Sequence, residues 1–199
     1  MPEGKPLLAP IKVYRGPYTV WTGVDLAVSE KAKSDNTAFF SFCVLPTGHR
    51  MILDIDEGKY NPTTVKRKLV NCHASYDGFI TVEDVGMQKF CLGLLRDAIK
   101  GAFAIKGFTT TGQAKRDAEN GIPIIMAEIE QGLWLIPNDR HGNVAPAVQR
   151  WIDGVLNYQP SSHTADSLMA QLFARTQAKR YNMLGGKQAT RESFDVASR

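Results

Sequence analysis

Three strand-like runs follow one another with no helix between them, and this order constrains the fold more than any other feature of the chain. They are residues 18–28, around "TVWTGVDLAV", then 37–45, "TAFFSFCVL", then 50–56, "RMILDID". "PTGH" separates the second run from the third, and its proline and glycine suit a tight hairpin turn. Only afterwards does the pattern alternate between helix and strand. Consecutive strands pair as antiparallel neighbours, whereas strands separated by helices add in parallel. The expectation is one α/β domain, a mixed sheet with helices packed on it.

The alternating part can be followed element by element. "NPTTVKRKLVNCHASY" opens with Asn61 as a cap and Pro62 in the first turn, and Val65 and Leu69 share a face with Cys72 or His73. "FITV" then reads as a short strand, and "MQKFCLGLLRDAIKG" as a helix with Phe90, Leu94 and Leu95 on its apolar side. "AFAIKGFTT" is a further strand. "QAKRDAENGIPIIMAEIEQG" looks helical on both sides of an awkward Gly121-Ile122-Pro123, and "LWLIP" is strand-like. "APAVQRWIDGVLNY" is amphipathic. The stretch from "SSHTADS" runs as a helix to about residue 180, with serine and threonine as cap candidates. Residues 1–17, with four prolines and two glycines, read as an irregular lead-in, residues 18–180 as the domain, and residues 181–199 as a basic, mobile tail.

Bulk composition excludes several classes. With 43% apolar and 22% charged residues the chain is neither disordered nor fibrous. No apolar run approaches the roughly 20 residues that span a bilayer, so no membrane partner is expected. The opening "MPEGKPLLAPIKVY" lacks the basic and apolar regions of a secretion signal, so a cytoplasmic location is expected. Cys43, Cys72 and Cys91 are widely spaced and read as reduced thiols. Six basic and two acidic residues from Arg175 onward account for the whole net charge of +4, which hints at a polyanionic partner near that end.

Acidic residues stand where apolar ones are expected. Asp25 interrupts the first strand between Val24 and Leu26, Glu83 and Asp84 end "FITV", and Asp166 lies in the first turn of the last helix. A carboxylate in such a place must be protonated, paired to a cation or bound to a metal. Structural roles are also open: Asp166 can complement a helix N-terminus, and Asp84 can cap a following helix. Mid-strand Asp25 is the hardest to assign one. Acids from a first strand, a later strand and a late helix converge only at one end of such a sheet. Hard oxygen donors without cysteine select Mg²⁺ or Mn²⁺ over zinc.

"TGVDLAVSEKAKSDNTAFFSF", "GHRMILDIDEGKYNPTTVKRKL", "ITVEDVGMQKF", "GQAKRDAENGIPIIMAEIEQGLWLIP" and "SHTADSLMAQLFA" occur in this order over about residues 18–175. The ordered set resembles the C-terminal nuclease domain of phage large terminases, within the ribonuclease H-like superfamily and close to Holliday-junction resolvases. The resemblance implies a ribonuclease H-like mixed sheet, three antiparallel strands then parallel ones, flanked by helices. It implies two divalent ions, Mg²⁺ or Mn²⁺, and phosphodiester cleavage. Asp25 matches the first-strand ligand that bridges both ions, Glu83 the acid ending the later strand with Asp84 as its rival, and Asp166 the acid of the final helix. Asp35 resembles an auxiliary acid. Where the family often carries an Asp-rich run before the last acid, this chain has "SSHTAD", so His163 stands as a weaker ligand or proton handler, or as a surface residue at a helix start.

The partners implied are double-stranded DNA and, in a full terminase, an ATPase motor, a small subunit and a portal. No G-x-x-x-x-G-K-[ST] loop occurs, so ATP hydrolysis is not expected of these residues. Lys115, Arg116, Lys179 and Arg180 are the phosphate-contact candidates; Lys66, Arg67 and Lys68 read more simply as the outer side of an amphipathic helix. Three functions follow. The first is a terminase-type endonuclease cutting concatemeric viral DNA during packaging. The second is a junction resolvase or ribonuclease H, preferring branched DNA or RNA–DNA hybrids. The third is a nucleic-acid-binding module whose acids serve the fold alone.

Overall fold

The opening runs pair as expected. β1 (Val20–Asp25), β2 (Thr37–Val44) and β3 (Arg50–Gly58) form an antiparallel meander, with Asp25 opposite Ala38 and Thr37 opposite Gly58. In this computed structural model, residues 16–27, 36–84, 93, 96–97, 103–109, 111 and 115–185 are described. β4 (Phe79–Glu83), β5 (Ile105–Phe108) and β6 (Trp134–Leu135) add in parallel, giving a six-stranded sheet in the order β5-β4-β1-β2-β3-β6. The helices are α1 (Pro62–Tyr76), α2 (Ile122–Glu130), α3 (Pro146–Leu156) and α4 (Asp166–Arg180), followed by a short 3₁₀ turn at Met183–Gly185.

The two faces of the sheet carry different cores. On one, Val24, Leu26 and Phe39 pack against Val65 and Leu69 of α1. Asn61 caps that helix by accepting the Thr64 N–H at 2.8 Å, and Asp77 closes it in the left-handed region at φ 46°. On the other face, Trp21, Phe40, Phe42, Trp134 and Trp151 meet Ala170, Ala174 and Ala178 of α4. These alanines recur every fourth residue, so a small stripe runs down the helix. Gly23 lets that stripe approach: a Cβ there would lie 1.8 Å from the Ala170 carbonyl oxygen. The helix backbone thus rests directly on β1, which fixes the N-terminus of α4 relative to the strand end.

Local readings differ from the sequence expectation in three places. The tail expected from residue 181 starts later, since Tyr181 packs 5.5 Å from the Trp21 ring and Met183 is buried in the core. Gly121-Ile122-Pro123 does not interrupt a helix; it starts one, with Gly121 as the cap and Pro123 in the first turn, where its missing N–H costs nothing. The last helix does not use a serine or threonine cap. Its cap residue is Ala165, with no side-chain hydrogen bond, because Ser162 donates its hydroxyl back to the Gln159 carbonyl at 3.0 Å in a turn of its own. Cys43 is buried, and the Cys72 thiol lies 3.4 Å from the Thr22 hydroxyl. Among the described residues no helix is long and apolar enough to cross a membrane. Of the expected helix over 87–101 only residues 93, 96 and 97 are described, and these are helical; Cys91, most of the 1–17 lead-in and the tail from 186 lie outside the described residues.

Candidate active site

β1 and β4 are parallel neighbours with Val24 opposite Val82, so the next residues, Asp25 and Glu83, end their strands side by side. α4 crosses β1 and begins at Asp166 over the same sheet end. The three acids line one cleft of about 230 Å³. Sequence-expected Lys115, Arg116 and His163 line it as well. So do Asn36 and Tyr158, which sequence reasoning did not single out.

The electrostatics of this cleft are unfavourable for its own acids. Burial holds the Asp25 carboxyl well above the ordinary carboxylate value, and the neighbouring Glu83 and Asp166 charges push it further in the same direction. A side-chain hydrogen bond with Glu83 adds to this rise. Lys115 works against this rise. Asp166 sits in the first turn of α4, where the helix dipole favours a negative charge, and its Oδ2 accepts the backbone N–H of Asn36 at 2.8 Å. Burial also raises the Tyr158 hydroxyl, against the influence of Arg116.

The remaining expected site residues are placed elsewhere. Asp84 follows Glu83, and its side chain packs on β5: a Cβ at Gly107 would lie 2.5 Å from Asp84 Oδ2. Its N–H donates to the Phe108 carbonyl at 2.8 Å, its Oδ1 is buried without a hydrogen bond, and it does not line the cleft. Lys179 and Arg180 end α4, a rise of roughly 20 Å from Asp166 at 1.5 Å per residue. Lys179 donates to Asn120 Oδ1 at 2.6 Å, and the Arg180 guanidinium lies 5.3 Å from the centre of the Phe108 ring. Lys179 thereby braces the turn that follows Lys115 and Arg116. Lys66, Arg67 and Lys68 lie on α1, where Lys68 pairs with Asp56. Asp35 lies outside the described residues.

A second buried acid escaped sequence reasoning. Glu128 of α2 accepts from Arg50 Nη2 at 2.9 Å, from Arg175 Nη2 at 2.8 Å and Nε at 3.0 Å, and from Trp134 Nε1 at 3.1 Å. It closes a network that ties α2 and α4 to β3 and β6.

No three of the described His, Cys, Asp and Glu side chains converge tightly enough, as they stand, to enclose one metal ion. The cleft nonetheless fits a hard divalent cation in donor type and charge. Its donors are carboxylate oxygens, and a cation there would relieve the repulsion that helps to raise the Asp25 carboxyl.

No family model matches the chain, and no curated protein does. Solved structures do. The large terminase nuclease from thermophilic phage G20c is 18% identical, with a TM-score of 0.56 over 83% of this chain and 86% of that one. The same nuclease with bound zinc gives 16% identity and a TM-score of 0.60, over 83% and 85% of the two chains. The yeast mitochondrial Holliday junction resolvase Ydc2 gives 12% and 0.53, over 86% and 85%. The chain therefore has the ribonuclease H-like fold, in a form similar to that of large terminase nucleases.

Proposed function

We propose that this protein is a metal-dependent DNA endonuclease of the phage terminase type, cutting concatemeric viral DNA during genome packaging. The reading rests on one observation: Asp25, Glu83 and Asp166, from two strands and a helix, line a single cleft together with Lys115 and Arg116. Clustered carboxylates repel the phosphates of a nucleic acid unless cations intervene, and two adjacent cationic side chains are suited to hold the backbone. The likeness to the zinc-bound phage G20c nuclease supports the same assignment.

Asp25, Glu83 and Asp166 would hold the divalent ions, Mg²⁺ or Mn²⁺ and two in number. Bound there, such ions supply an activated water and neutralise charge on the cleaved phosphate. The protein's own contribution is placement. Burial of Asp25 at the strand end keeps its carboxyl from wandering, and Lys115 and Arg116 orient the backbone over it. His163, on the same cleft, is suited to take up or deliver a proton. The wider partners, a motor ATPase, a small subunit and a portal, belong to the same proposal.

Asp25→Ala tests it: Mn²⁺-dependent plasmid cleavage should vanish while the circular dichroism spectrum and melting cooperativity stay unchanged. Retained cleavage would remove Asp25 from the site. The likeness to the Ydc2 resolvase supports a second reading, a junction-cutting enzyme. Linear duplex, four-way junction and RNA–DNA hybrid substrates, compared side by side, separate the two; preferential junction or hybrid cutting rejects the terminase assignment.

A further inference from the structure

Asp166 is the first residue of α4, where the helix leaves open N–H groups. Its carboxylate has to lie over the cleft beside Asp25 and Glu83 if the three are to act together.

Asn36 stands in the right place. Its backbone N–H donates to Asp166 Oδ2 at 2.8 Å, across 130 residues of sequence. Its side-chain Nδ2 donates to Glu57 Oε1 at 3.1 Å. Glu57 lies near the end of β3, level with the strand end that carries Asp25 in the antiparallel meander, and its side chain is only 12% exposed. Arg150 of α3 lies 3.9 Å from the same Oε1 and balances its charge. A chain of contacts thus runs from α3 through β3 and Asn36 to the first turn of α4.

We propose that Asn36 is a positioning residue for Asp166: Glu57 clamps the Asn36 side-chain amide, and the clamp holds the Asn36 backbone amide where it fixes one oxygen of Asp166 beside Asp25 and Glu83. This rests on the reading of the cleft acids as a divalent-metal site. Partners that orient a metal-binding side chain in this way set metal affinity without touching the metal or the substrate.

Calorimetric titration with Mn²⁺, in parallel with DNA cleavage kinetics, tests the assignment. Asn36→Ala and Glu57→Ala should each weaken Mn²⁺ binding and lower kcat, on the order of tenfold or more, with KM for DNA unchanged. The double variant should be no worse than either alone, since both break one clamp. Glu57→Gln should bind Mn²⁺ close to wild type, because its amide oxygen still accepts from Asn36. Wild-type Mn²⁺ affinity in Asn36→Ala overturns the proposal, as does a Glu57→Gln variant as impaired as Glu57→Ala. If Asn36→Ala does not fold, the Glu57 pair decides. Asp166→Ala separates the two levels of inference: unchanged Mn²⁺ binding there sinks the metal-site reading itself, whatever Asn36 does.

Discussion

Two groups of acids in this domain have opposite surroundings. Glu128 is 5% exposed and meets two guanidinium groups and an indole N–H, so both of its oxygens are engaged by donors. Asp25 meets Glu83 and Asp166, and its carboxyl is driven up by burial and by their charge. The fold neutralises the first acid with its own cations, whereas the second group sets three carboxyls against one another and Lys115 only opposes the resulting rise. A charge that the fold satisfies is part of the scaffold; acids gathered without enough cations point to something the fold expects from outside.

Removing Glu128 should have the largest effect on stability. Glu128→Ala leaves Arg50 and Arg175, 5% and 3% exposed, as uncompensated buried charges, and breaking such a network costs about 3–5 kcal/mol. Urea denaturation at neutral pH measures this; a loss below 1 kcal/mol would mean that the network is no more than a surface pair.

The cleft should respond in the reverse sense. In metal-free buffer at pH 8, Asp25→Asn should raise the melting temperature by about 2–4 °C, the response of a domain of this size to roughly 1 kcal/mol. The sign follows from the raised carboxyl. The folded chain keeps a proton that the unfolded chain has already lost, so this contribution is full below the ordinary value of 3.8 and disappears as pH rises through the folded value. The gap between wild type and Asp25→Asn should therefore open with rising pH. A gap that closes instead would contradict the repulsion.

Millimolar Mn²⁺ should then invert the order, raising the melting temperature of wild type by several degrees and that of Asp25→Asn little, since a ligand stabilises only the state that binds it. Equal shifts in both would show that the ion binds elsewhere. The smallest expected effect concerns the cation that faces Asp25. Lys115→Met should weaken DNA binding alike for all sequences and lower the slope of log affinity against log salt by about 0.9, one phosphate contact. An unchanged slope would take Lys115 off the DNA.

Much of this contrast was legible in the sequence, and the rest fails for a common reason. The meander, α1 with its Asn61-Pro62 start, and the amphipathic α3 follow from local signals, since turn residues, caps and periodicity act within a few residues. The convergence of Asp25, Glu83 and Asp166 was also readable, because strand ends of one sheet share an edge. Alternation along β4 separates Glu83 from Asp84, which the pair "ED" alone does not decide. Glu128 looks in sequence like the polar side of a short helix; its partners Arg175 and Arg50 lie 47 and 78 residues away. Asn36 holds Asp166 through a backbone N–H, a contact with no residue signature at all. Lys179 and Arg180 drew attention by charge, yet charge does not say which end of a helix faces the site.

The most direct test of the account is anomalous diffraction from crystals soaked in Mn²⁺. It predicts two anomalous peaks in the cleft, both bound by Asp25, with Glu83 and Asp166 completing the set and Asp84 outside it. Peaks absent from the cleft, or held by Asp84 in place of Glu83, would contradict it.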